Sequence, residues 1–175
     1  MTGDADKPDK SDGAIILGWW RANLRPDPDF GLARGLRARL RRATHVVDVL
    51  AEPQVIALHD ALGRRHDPVR LAALASLLAA VERHDGHRIA RALGAGDAPP
   101  LSHLRFQRLI RSDGDALALA LRRALPLVGH ACNVAALGED FLRWDERVRV
   151  RWCFDYFGKA PPDAAPAVSE TEETA

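Results

Sequence analysis

Arginine placement is the feature of this chain that points most directly to chemistry. All of its 25 basic residues are arginine except Lys7, Lys10 and Lys159. Arg105, Arg108 and Arg111 recur every third position in "LRFQRLIR", and Arg122 and Arg123 follow in "LRRAL". Arg34, Arg37 and Arg41 form a similar strip, flanked by Arg39 and Arg42. At about 100° per residue these strips lie beside apolar ones carrying Phe106, Leu109 and Ile110, or Leu36, Leu40 and Val47. Arg122 and Arg123 point away from the face of Leu117, Leu121, Leu125 and Val128. No acid sits three or four positions from Arg105, Arg108 or Arg123, so none has a helical ion-pair partner. A guanidinium presents a planar fork of donors that matches phosphate oxygens. A single such arginine is equally well a solvated helix face. Three strips (34–42, 105–111 and 122–123) together point to a groove that contacts nucleic-acid backbone without sequence specificity.

Other chemistries find no support. Of seven histidines, His84 and His87 are spaced i, i+3 beside Asp85, but Gly86 interrupts them. No H-E-x-x-H or Cys/His quartet exists, so these read as solvated or charge-pairing histidines rather than metal ligands. None of Ser11, Ser76, Ser102, Ser112 and Ser169 lies in a G-x-S-x-G turn, and "LGAGD" lacks the Lys-Ser/Thr of a phosphate loop. The expectation is a protein with no catalytic residues, no metal and no cofactor. Cys132 and Cys153 are too few for a disulfide framework and read as reduced core residues of a cytosolic protein. Trp19, Trp144 and Trp152 fall at core spacing and Trp20 at a partner contact, so base stacking is not expected.

The elements that must position the arginines are helical. The composition is 47% hydrophobic and 6% aromatic, dominated by Leu and Ala, which predicts an all-α fold. The formal charge of +1 hides an asymmetry. Residues 1–13 carry a net −2 and residues 160–175 a net −4, together holding eight of the 24 acids and two of the 25 bases, so the body is left at +7. Both ends read as disordered acidic segments. Between them the pattern predicts helices at about 15–24, 30–51, 53–62, 68–83, 87–93, 102–111, 115–129, 133–144 and 145–157. "GAGDAPPLS" divides the body into an N-terminal lobe (14–94) and a C-terminal lobe (102–159), with 95–101 as linker. "THVVDVL" (44–50) and "RVRVRW" (147–152) have strand-like composition, but neither has a partner strand, and both are assigned to helices. No apolar run approaches a membrane span, and the expectation is a soluble, intracellular protein with no membrane partner.

The order of motifs resembles a known family. "WWRANL", "RARLRR", "H…GHRIARALG", "RFQRLIRSDGDALALALRRALPLVG" and "NVAALGEDFLRWDERVRVRWCFDYF" follow one another as in the CasB-type small subunit of the type I-E CRISPR surveillance complex, Cascade. The resemblance covers about residues 15–157 and is most specific at "RFQRLIR", "LRRALPLVG" and "LGEDFLRW". One departure is Val134, where tryptophan often follows the asparagine. The resemblance implies an all-α, non-enzymatic subunit present in two copies along a crRNA-guided complex, contacting its backbone and large subunits. Its basic faces would line the guide–target hybrid and the displaced DNA strand and so stabilise the R-loop. The matching positions are Arg41, Arg42, Arg105, Arg108 and Arg111. Arg34 and Arg37, on the same strip as Arg41, are added to them, as are Arg122, Arg123, Arg147 and Arg149. The rival expectation is a scaffold whose basic faces contact acidic partner subunits. A DNA-binding regulator is less in keeping with the sequence, since no recognition helix with base-reading Asn or Gln is evident.

Overall fold

Among the described residues five helices begin on a side chain that accepts from a free backbone N–H of the first turn. Asp113 accepts from the adjacent Gly114, and the four others from three residues ahead. Ser11 accepts from the Ala14 N–H, Asp67 from Arg70, Asn133 from Ala136 and Asp145 from Val148. The computed structural model describes residues 10–26 and 31–160. The expectations for 1–9 and 161–175 fall outside them. Among the described residues ten α-helices follow: α1 (Asp12–Asn23), α2 (Gly31–Arg42), α3 (Val46–Leu50), α4 (Pro53–Ala61), α5 (Pro68–Leu78), α6 (Ile89–Leu93), α7 (His103–Arg111), α8 (Gly114–Ala124), α9 (Val134–Leu142) and α10 (Glu146–Tyr156). A 3-10 turn at Leu125–Val128, with Pro126 near its start, continues from α8. "RVRVRW" lies inside α10, as expected.

The structure corrects four details. The first helix begins at Asp12 rather than near residue 15, so residues 10–13 are not wholly part of a disordered end. Asp12 is buried and held by Arg65 Nη2 at 2.8 Å and His66 Nε2 at 2.9 Å. The helix expected over 30–51 breaks at 43–45, which resets its phase. Val47, expected on the core face, is 70% exposed, and Val49 is buried in its place. The helix expected to reach residue 83 stops at Leu78. Beyond it β1 (Arg83–His84) pairs in parallel with β2 (Ala131–Cys132), a short bridge that the helical periodicity does not reveal. Trp20, expected at a partner contact, is 1% exposed, and its indole donates to the Leu78 carbonyl at 3.2 Å inside the core.

One buried cluster runs from Ile16 and Trp20 through Leu74 and Leu77 to Phe141, Trp152 and Tyr156. The apolar helix α5 sits among α2, α3, α4, α8 and α9, while α1 lies along α9. Gly138 permits that last approach: a Cβ there would stand 2.7 Å from the Ile16 side chain. Val134 is fully buried, so the smaller side chain still fills a core position.

Candidate nucleic-acid interface

Helix α8 ends on two neighbouring arginines that do different work. Arg122 is half-buried, and its Nη2 donates to the Arg41 carbonyl at 3.0 Å. That carbonyl belongs to the last turn of α2, where C=O groups lack helical partners and the dipole is negative. Arg122 therefore caps α2 from α8. About 100° round the helix, Arg123 is exposed and faces α7. There it lines a groove of about 480 Å³ with Arg105 and Arg108. Leu101, Leu109, Ala120, Ala124 and Leu127 make the apolar part of its lining.

A second groove, of about 430 Å³, opens along α2. Arg34, Arg37 and Arg41 line it, with Arg25 and Glu82. Arg37 is half-buried, and its Nε donates to the Ala79 carbonyl at 3.4 Å. Burial lowers its pKa, Glu82 opposes that, and the neighbouring Arg41 charge lowers it further. Arginine remains charged throughout the physiological range, so the groove gathers several cations beside the Glu82 carboxylate. Arg42 is exposed at the end of α2. Arg39, on another side, forms a fork with Glu52, Nε to Oε1 at 2.5 Å and Nη2 to Oε2 at 2.9 Å.

The structure thus brings together Arg34, Arg37 and Arg41 in one groove and Arg105, Arg108 and Arg123 in another. The Arg122–Arg41 bond ties the helices that carry them. Arg111 is exposed at the end of α7, and Arg147 is exposed in the first turn of α10; neither lines either of these two grooves. Arg149 is engaged elsewhere. Its guanidinium lies 5.8 Å from the Trp144 ring centroid, and its Nη2 is 3.8 Å from Asp113 Oδ2. Arg25 escapes notice in the sequence because it stands alone between Leu24 and Pro26, outside any strip.

"LGEDFLRW" is a structural motif in this fold. Glu139 accepts from the Gly13 N–H at 2.9 Å, in the first turn of α1. Asp140 is 4% exposed and accepts from Trp152 Nε1 at 2.7 Å, from Arg88 Nη1 at 3.1 Å and from Arg151 Nη2. Its burial raises its pKa, which the indole and the two guanidinium groups oppose. Trp144 Nε1 donates to the Ser112 carbonyl at 2.9 Å, and its ring meets Trp152 edge-on at 4.9 Å. All four tryptophans are buried, so none offers a face to a base.

His84 accepts the Val134 N–H at Nδ1, 3.1 Å away, and burial together with the Arg21 charge lowers its pKa. Cys132 and Cys153 are free thiols, and burial pushes the Cys132 pKa up to about 12. Among the described residues no group of three or more His, Cys, Asp or Glu could hold a metal ion. No helix among them is long and apolar enough to cross a membrane.

Two solved structures share this fold. A Cse2-family CRISPR-associated protein of Thermus thermophilus matches with a TM-score of 0.63 and 27% identity, over 85% of this chain and 99% of that one. A chain of E. coli Cascade, solved bound to a PAM-containing double-stranded DNA target, matches with a TM-score of 0.59 and 22% identity, over 81% and 93%. At that identity the second likeness concerns the fold alone. A curated CRISPR-associated protein Cse2 of Thermus thermophilus is 39% identical over 57 residues, 31% of this chain. That alignment spans about a third (34%) of the relative's length. The family model for CRISPR-associated protein Cse2 matches residues 36–157, which take in both grooves' arginines except Arg25 and Arg34 and the whole of "LGEDFLRW". The chain belongs to the Cse2 family of CRISPR-associated proteins.

Proposed function

We propose that this chain is the non-catalytic small subunit of a type I-E Cascade ribonucleoprotein, and that its arginine grooves hold nucleic-acid backbone. The displaced DNA strand and the guide–target hybrid are the backbones in question. Its neighbours are the complex's other subunits and a second copy of itself. The observation that carries the reading is the convergence on α8, where Arg123 completes the α7 groove and Arg122 anchors the α2 end. The exposed guanidinium groups of Arg105, Arg108 and Arg123 suit phosphates, and the four tryptophans are buried and present no face to stack on a base. Base pairing supplies the sequence information, and the protein favours the opened state. R-loop formation is a nearly balanced exchange of duplexes, so a few kcal/mol decide whether it persists.

The test is Arg41→Ala combined with Arg123→Ala in the assembled complex. Both side chains are exposed, and Arg41 offers its backbone carbonyl, not its side chain, to Arg122. Folding and assembly should survive. The R-loop should collapse faster, by a stabilisation loss of about 1–3 kcal/mol for two charge-assisted contacts. A complex that assembles and keeps an unchanged R-loop lifetime defeats the reading. A variant that fails to enter the complex, while any complex formed holds its target normally, supports a scaffold contacting acidic subunits.

A further inference from the structure

The groove between α7 and α8 has an apolar floor that a phosphate backbone does not need. Leu101, Leu109, Ala120, Ala124 and Leu127 form it, and Leu127 remains 41% exposed. Arg105, Arg108 and Arg123 make the rim. A segment of small apolar residues followed by carboxylates would match both parts. This chain contains one: "AAPAV" at 164–168 precedes Glu170, Glu172 and Glu173.

Helix α10 ends against α7, which forms one wall of that groove. Tyr156, the last residue of α10, stacks on Phe106 of α7 with centroids 4.0 Å apart. Its Oη donates at 2.6 Å to the carbonyl of Leu101, which is part of the groove floor. Phe157 lies against His103 at the start of α7, 5.7 Å between centroids. Gly158, at φ +65°, then turns the chain out of α10, and Lys159 N–H closes the turn on the Phe154 carbonyl. Ten residue-to-residue steps lead from Ala160 to Glu170, which span about 33 Å when extended. Nine-residue α7 is only about 13 Å long, so the acidic segment reaches every part of the groove.

We propose that residues 161–175 dock in this groove within the same molecule, with 164–168 on the apolar floor and Glu170, Glu172 and Glu173 against Arg105, Arg108 and Arg123. Tethering holds the acidic segment at a millimolar effective concentration, enough for weak screened pairs to compete with an incoming backbone. Its effect on nucleic acid rests on the function proposed above; the docking itself does not. Docked, the segment would weaken nonspecific binding until a strand presenting many phosphates displaces it.

The experiment uses the full chain with ¹⁵N-labelled arginine, as wild type and with Asp163→Asn, Glu170→Gln, Glu172→Gln and Glu173→Gln together. The Nε–Hε resonances are recorded at low salt, and an oligothymidine strand is titrated into both proteins. The expected result is a difference between the two spectra centred on Arg105, Arg108 and Arg123 and independent of protein concentration. Oligothymidine should bind the neutralised variant roughly three- to tenfold more tightly, and the gap should close as salt rises. Identical resonances at these three arginines overturn the proposal, as do changes confined to Arg34, Arg37 and Arg41. Differences that grow with protein concentration also overturn it, in favour of a second copy as occupant. If the resonances differ as expected but oligothymidine binds neither protein, the docking stands and the nucleic-acid role of the groove is what fails.

Discussion

Arg122 of α8 donates to the carbonyl of Arg41 at the end of α2, 3.0 Å away, across 81 positions of chain. The bond separates two arginines that are adjacent in sequence. Arg122 is part of the fold, while Arg123, on the next residue, stands exposed over the α7 groove. It also fixes the end of the helix that carries Arg34, Arg37 and Arg41.

Arg122→Ala should therefore cost about 1 kcal/mol of stability, the value of a charge-assisted bond to a helix C-terminus. Arg123→Ala should stay within about 0.5 kcal/mol of wild type, as an exposed substitution does. Binding of single-stranded DNA should rank the pair the other way, with Arg123→Ala the weaker binder. Urea melts of the two variants measure the first difference, and equal stabilities would contradict the assignment of Arg122 as a cap.

Asp140 should be among the costliest single positions to change. Removing its carboxylate strands the Trp152 indole and leaves Arg88 and Arg151 without their shared anion. Asp140→Ala should lose roughly 1–3 kcal/mol, the cost of leaving the buried indole N–H without an acceptor, since Arg88 and Arg151 keep access to water. Asp140→Asn keeps an acceptor for the indole and should lose less. A midpoint for the alanine variant that matches wild type in urea would show that the cluster adds nothing net.

His84 should make the fold sensitive to mild acid. Its Nδ1 can accept the Val134 N–H only while that nitrogen is unprotonated, and burial, with Arg21 nearby, lowers its pKa. The folded pKa lies below the unfolded value of about 6.5, so the folded state binds the proton less readily. The contribution is present above that value and is lost as pH falls through the folded pKa. His84→Gln, which cannot titrate, should flatten that part of the stability profile between about pH 7.5 and 5.5. A wild-type profile superimposable on the variant's would exclude His84 as the source.

Much of the architecture is legible along the chain. Leu117, Leu121 and Leu125 fall on a core face by their spacing, and all three are buried. Ser11, Asp67, Asn133 and Asp145 cap helices by bonds that reach only three residues ahead. Val47 shows where periodicity fails: one break at 43–45 shifts the helical phase, and the apolar stripe read through it lands on solvent. The β1–β2 bridge is invisible in the sequence because its two-residue strands have no alternation to detect and lie far apart in the chain.

The arginines divide along the same line. Helical spacing is enough to set Arg105 and Arg108 on one polar face, because neighbours three apart on a helix share a side by geometry alone. Charge, periodicity and motif order likewise carry the all-α class and the family. Whether a given guanidinium is available is a separate matter. Arg111 and Arg149 look alike as surface arginines in amphipathic helices, yet Arg149 lies over Trp144 and near Asp113 while Arg111 is exposed. Arg122 and Arg123 look alike too, and α8, packed on α5 and α7, carries one to a carbonyl at the end of α2 and the other to a groove. Local spacing sets the direction in which a side chain leaves its helix; the partner it meets there comes from residues distant in the chain, and only packing around α5 brings those within reach.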